Sequence, residues 1–247
     1  MGASATPAVG TYETLPQYDA ADIPEDFKIG VTVDQSAPQI RALFTRKVYT
    51  MLFLQLLGTS IVAAGMTAAG TGPWLYSHMW AMWVPFVGSL GSLGFIYWKA
   101  HEHPLNVILL GVFTLFEAVS VGMLVSLVDQ TAVLKAFMIT SFVFAGLTLY
   151  TLQSEQNFES LGSWLYMGLL VVVGAGLVQL FMPSRLLELV YSVGGVAVFS
   201  GYIVFDTWMI QRRLSPDDWV LANVSLYLDV INLFISILRL LNSSSDD

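Results

Sequence analysis

Three acidic side chains sit inside long apolar runs, Glu117, Asp206 and Asp229. A carboxylate at mid-membrane costs about 2.5–3.5 kcal/mol on insertion scales, so each must face protein or water instead of lipid. Asp229 lies in the run Trp219–Leu240, which also carries Asn223, Ser225 and Asn232, with Arg239 at its end. Ser225, Asp229 and Asn232 are spaced four and three residues apart and share one helical face. Asp206 and Asp229 flank a tight loop centred on Pro216, so antiparallel neighbouring helices bring them to similar depth. Two carboxylates in a poorly solvated site cannot both ionise cheaply. One is expected to keep a proton and donate it to the other, and such a pair titrates as a unit. It would latch the last two helices together. Ca²⁺ would compete for the same oxygens, being a hard cation that takes carboxylate and carbonyl ligands. The expected Ca²⁺ ligands are Asp206, Asp229 and Glu117, with Ser225 and Asn232 as further path positions. No basic residue sits firmly mid-membrane, which favours a cation route. The bland alternative is that Asp206 bonds locally and Asp229 pairs with Asn or Ser alone; three embedded acids in one small bundle argue against it.

The elements that position these acids are membrane helices. The chain has 247 residues, 55% hydrophobic and only 11% charged, with a mean hydropathy of +0.68. A soluble domain carries about 25% charged residues. The absence of cysteine removes disulfides and thiolate ligation. A net charge of −8 argues against nucleic acid as a partner. The expected architecture is an all-α polytopic membrane protein, a seven-helix bundle of residues 39–241 with the polar-containing final helix at its centre. Residues 1–38 read as a disordered cytosolic tail and 242–247 as a short acidic tail.

The predicted spans are 48–69, 79–98, 104–127, 132–152, 161–182, 185–210 and 219–240. Gly70–Pro73 breaks the first from the second, and Trp74, Trp80 and Trp83 read as interfacial anchors. Gly88, Gly91 and Gly94 recur at three-residue spacing and allow close helix packing. Thr131 is the expected cap of the fourth span. Ser215, Pro216, Asp217 and Asp218 form an N-terminal capping signature for the last. With a cytosolic N-terminus and seven crossings, Lys28, Arg41, Arg46, Lys47, Lys99, Arg212 and Arg213 lie on the cytosolic side, and Lys135, Arg185 and Arg239 opposite. No cleaved signal peptide is expected at the N-terminus. Short patterns there, a loose myristoylation start at Gly2, a sorting signal at Tyr12–Leu15 and an LPxY motif at Leu15–Tyr18, are no more specific than chance. The same holds for zinc at His101 and His103.

Several stretches, taken in order, resemble one family. They are Arg46–Tyr49, His103–Asn106, Phe113–Ala118, Tyr150–Ser154, Phe205–Thr207 and Ser225–Phe234. Together they resemble the transmembrane Bax-inhibitor-motif family, most closely its lifeguard or Golgi anti-apoptotic branch, in a fungal form. The resemblance spans residues 39–241. It implies a seven-helix bundle around a less hydrophobic last helix and a pH-sensitive Ca²⁺ leak from intracellular stores, with an aspartate pair matching Asp206 and Asp229 as sensor and latch. The family's acidic residue in the third span matches Glu117. It further implies Ca²⁺ and protons as partners, with no tightly bound cofactor, and links to cell-death and stress-response proteins and the unfolded-protein response. The implied location is an intracellular membrane of the endoplasmic reticulum, Golgi, vacuole or mitochondrion. Asp246 and Asp247 depart from the Lys-rich end of some relatives, which puts a C-terminal regulatory role in doubt.

Rival functions use the same features differently. A proton-coupled Ca²⁺ antiporter would use the same acids but drive Ca²⁺ uphill. A non-conducting scaffold for cell-death or stress proteins would need the tails and not the buried acids. A seven-helix receptor is disfavoured by the missing disulfide and the lack of a lysine in the final helix. An intramembrane protease would also need paired aspartates, but the surrounding motifs are of another kind. No enzymatic activity is expected.

Overall fold

The computed structural model describes residues 32–36 and 38–243. The tail patterns at Gly2, Tyr12–Leu15 and Leu15–Tyr18, the charge at Lys28, and Asp246 and Asp247 lie outside the described residues. Among the described residues eight α-helices follow in order: α1 (Pro38–Ala68), α2 (Thr71–Ser77), α3 (Trp83–Trp98), α4 (Leu105–Val125), α5 (Gln130–Gln153), α6 (Leu161–Phe181), α7 (Arg185–Arg212) and α8 (Trp219–Ser243). Seven segments, all but the short α2, are long and apolar enough to cross a membrane. The protein is an all-α, multi-pass membrane protein.

Local chemistry sets the ends. Pro38 opens α1, where its missing N–H costs nothing. Gly70 ends α1 in the left-handed region (φ 67°), and the Thr71 hydroxyl oxygen lies 3.0 Å from Met66 O. α1 begins ten residues before the expected span, because the basic segment Gln39–Lys47 continues the helix instead of preceding it. Asp129, not Thr131, caps α5: its carboxylate accepts from Ala132 N at 3.1 Å. Ser215 caps as expected, in a capping box with Asp218 over the 3-10 turn Pro216–Asp218 that leads into α8. Within the spans the Thr140 hydroxyl donates to Ala136 O and the Thr151 hydroxyl to Leu147 O, so these two leave no unmet donor in an apolar surround.

The loops sort into two faces. On the N-terminal face, Val33 N donates to Leu214 O at 2.9 Å, the His101 ring Nε2 meets Asp218 Oδ1 at 2.9 Å, and Arg213 pairs with Glu159. Val33 is fully buried there, in a 3-10 turn over Val33–Gln35, so packing reaches into the stretch read as tail. Lys47 Nζ lies 3.7 Å from the Trp219 ring centroid at the same face. Arg213 holds the exposed Glu159 carboxyl below its usual range, first through its hydrogen bond and then through its charge. That contribution is present above the ordinary carboxylate pKa and is lost as pH falls through the lowered one. Glu159→Gln is therefore expected to lower the melting midpoint slightly at neutral pH, by no more than an exposed pair contributes, and to melt like the wild type once acid has protonated the carboxyl, read by thermal melting across that pH range. On the opposite face the Thr71 hydroxyl donates to Ser126 Oγ at 2.9 Å, joining the α1–α2 and α4–α5 connections. The spans therefore alternate in direction.

The last helix is the core. In α8's most apolar window 61% of residues are buried, against 11–28% in the other six spans, and α7, α5 and α1 pack around it. The glycine stripe of α3 is only partly used. A Cβ at Gly88 would lie 2.5 Å from the Phe116 ring, but Gly91 and Gly94 face open space. Gly72 is tighter, with a Cβ 2.4 Å from the backbone oxygen of Ser126, which no side-chain rotation relieves. Gly72→Ala is expected to cost about 1–3 kcal/mol, and Gly91→Ala to be neutral or stabilising by up to about 1 kcal/mol. Thermal midpoints of the purified protein in detergent check both.

Candidate functional site

α7 and α8 run antiparallel, and their register fixes the site. Gly195 admits Ser236: a Cβ there would stand 2.4 Å from its Oγ. One end of the hairpin is closed by the Arg239 guanidinium 5.2 Å from the Tyr191 ring centroid. Toward the other end, this register brings Asp206 and Asp229 together, their carboxyls within hydrogen-bonding reach. Asp229 is buried, and its Oδ2 has no donor from the rest of the protein. Two ionised carboxylates cannot supply one to each other. A single proton shared between them would, and it would convert repulsion into a charge-assisted hydrogen bond.

Both acids line a cavity of ≈ 710 Å³ between α3, α6, α7 and α8. Ser225 and Asn232 line it as well, so the face predicted from spacing opens onto one space. Asn232 Nδ2 donates to Leu228 O at 2.8 Å, which leaves its carbonyl oxygen for other partners. The wall therefore offers two carboxylates, a hydroxyl and an amide oxygen, an all-oxygen set suited to a hard cation.

Glu117 is not part of this space. It lies half-buried on another seam, within reach of the Ser89 hydroxyl on α3. Glu117, expected as the third carboxylate of the path and of a Ca²⁺ ligand set with Asp206 and Asp229, does not line this cavity. Among the described residues no group of three or more His, Asp or Glu side chains could hold a metal. His101 is taken up by Asp218.

Sequence reasoning missed two features. One is a polar seam between α1, α4 and α8, where Gln55 Nε2 donates to Thr114 Oγ1 at 2.6 Å and Thr59 meets the Tyr227 hydroxyl at 2.8 Å. Gln55 and Thr59, four residues apart in an apolar run, carried that signal. The other is Arg239, placed at the end of the helix by sequence but lining the same cavity as the acids. At ten residues from Asp229, about 15 Å along the helix, it stands too far off to neutralise the pair.

The sequence matches the family model described as "Inhibitor of apoptosis-promoting Bax1" over residues 41–246. It is 40% identical over 232 residues to Protein lifeguard 4 of Mus musculus, covering 94% of this chain and 98% of the relative. It is 37% identical over 234 residues to the Golgi anti-apoptotic protein of Vaccinia virus (strain Lister), covering 91% and 95%. Bax inhibitor 1 of Schizosaccharomyces pombe is 36% identical over 242 residues, covering 97% and 90%.

Proposed function

The chain belongs to the Inhibitor of apoptosis-promoting Bax1 family of anti-apoptotic membrane proteins, and on that premise we propose that it is a pH-sensitive Ca²⁺ leak of an intracellular membrane. The observation that carries the reading is the meeting of Asp206 and Asp229 inside the bundle, on the wall of a cavity furnished with oxygen ligands. Held by one proton, the pair ties α7 to α8 and keeps the carboxylates occupied with each other. Loss of that proton leaves two facing anions, which repel and are bridged by an entering Ca²⁺. Flux therefore rises as pH rises. The cationic residues of the N-terminal face, Arg41, Arg46, Lys47, Lys99, Arg212 and Arg213, support a cytosolic orientation of that face. A leak so oriented lowers store Ca²⁺ and damps the signals that lead to cell death, in the endoplasmic reticulum, the Golgi or the vacuole.

Ca²⁺ uptake into proteoliposomes, followed with a trapped dye, tests the proposal. A passive leak follows the Ca²⁺ gradient at every pH and stops when that gradient is removed. Uphill Ca²⁺ movement driven by an imposed proton gradient would identify an antiporter instead. No flux from folded protein would leave a scaffold that binds cell-death or stress proteins.

A further inference from the structure

The end of the cavity away from the acids has a chemistry of its own. Gln179 of α6, Tyr191 of α7 and Arg239 of α8 line it. The Arg239 guanidinium lies against the Tyr191 ring, and its Nε is buried with no acceptor. Among the described residues no carboxylate pairs with it. A buried guanidinium donor without an acceptor is costly, and it is matched best by a planar or tetrahedral oxyanion. Gln179 adds a second polar group: its Oε1 accepts from Ser184 N at 3.2 Å, which turns its amide nitrogen free to donate.

The position of these residues says what brings the anion. Gln179 is two residues from the end of α6, and Arg239 is four from the end of α8. Both stand at the level of the headgroups on the face opposite the N-terminal turn. The side of the cavity is apolar and opens between α3 and α6, where Phe86, Val173 and Leu177 are each about half exposed. That opening faces hydrocarbon. We infer that the cavity takes one anionic phospholipid from this leaflet, its phosphate on Arg239 and Gln179 and one acyl chain along Leu169, Val172 and Leu177 toward the acid pair. A zwitterionic lipid fits less well, because among the described residues no carboxylate lines the arginine end of the cavity to receive an ammonium group. Gly176 keeps the passage open, since a Cβ there would press on the Tyr191 ring at 3.1 Å.

Native mass spectrometry of the full chain, released from detergent with phosphatidylglycerol or phosphatidylcholine of equal chain length, reads the site directly. One retained phosphatidylglycerol is expected, favoured over phosphatidylcholine by about tenfold or more in affinity. Arg239→Gln is expected to remove that preference, and Arg239→Lys to restore part of it, since it keeps the charge without the fork. Leu177→Trp, which narrows the lateral opening and leaves Arg239 in place, is expected to lower retention by a similar factor. It also reports if Arg239→Gln does not fold. Equal retention of the two lipids, undiminished phosphatidylglycerol in folded Arg239→Gln, or undiminished binding in Leu177→Trp would each overturn the inference. So would inorganic phosphate that displaces the lipid at equal concentration, since the anion alone would then suffice. The readout is lipid mass, so the outcome is independent of whether the protein conducts Ca²⁺.

Discussion

Asp229→Asn is expected to lower Ca²⁺ flux into proteoliposomes about tenfold or more and to flatten its rise with pH. The asparagine amide donates a hydrogen bond to Asp206 at every pH, so the variant stays in the arrangement that wild type holds only while a proton is shared. A hydrogen bond to a charged partner is worth about 1.5–3 kcal/mol, which is a factor of about ten to a hundred in the balance between latched and open forms. One carboxylate is also lost from the oxygen ligands of the cavity. Asp206→Asn is expected to behave alike, because the pair acts as a unit. The double variant is expected to lose far less than the product of the two single effects. Glu117→Gln sets the contrast. Glu117 lies on the α3–α4 seam, outside the cavity lining, so the pH slope is expected to survive its neutralisation. A wild-type slope in folded Asp229→Asn would remove the pair from the gate.

Much of this site is legible in the sequence, for a physical reason. Polar residues inside an apolar run must find protein or water, so Asn223, Ser225, Asp229 and Asn232 marked α8 as the central helix, and α8 is the most buried of the seven. The capping box at Ser215 closed a short connection, and a short connection makes antiparallel neighbours. Together these brought Asp206 toward Asp229. What the sequence did not carry is which neighbour each face meets. Helical periodicity orients a residue about its own axis only. Glu117 therefore looked like a third member of the acid path, while its face of α4 turns toward Ser89 of α3. The glycines of α3 show the same limit: a three-residue step drifts around the helix, so Gly88 meets Phe116 while Gly91 and Gly94 do not meet anything. Arg239 was seen as a helix-end charge, and its place in the cavity depends on α6 and α7 closing over it.

The strength of α8's seat in the bundle is read most directly at Tyr227. This side chain is fully buried, its ring edge-on to Phe113 of α4 with centroids 5.9 Å apart. The Thr59 hydroxyl gives its proton to Gln55 O, so the Tyr227 hydroxyl is the donor in their 2.8 Å contact. Tyr227→Phe removes only that bond and is expected to cost about 0.5–1.5 kcal/mol. Tyr227→Ala also empties the volume of a ring, for which about 3–5 kcal/mol is usual. The lower end applies here, because an unpacked helix in lipid keeps its side chains in an apolar medium and loses contact instead of solvation. Tyr227 and Asp229 stand on opposite sides of α8, one toward α1 and α4, the other toward the cavity. Tyr227→Phe is therefore expected to retain the pH slope of the flux while its melting midpoint falls slightly. Tyr227→Ala is expected to lose most of its folded yield at temperatures where Tyr227→Phe keeps it. Melting of both variants in detergent, with fluorescence-detected size exclusion as the readout of folded protein, separates ring from hydroxyl. Equal losses in the two would mean that the hydrogen bond to Thr59, and not the packing against Phe113, seats the central helix.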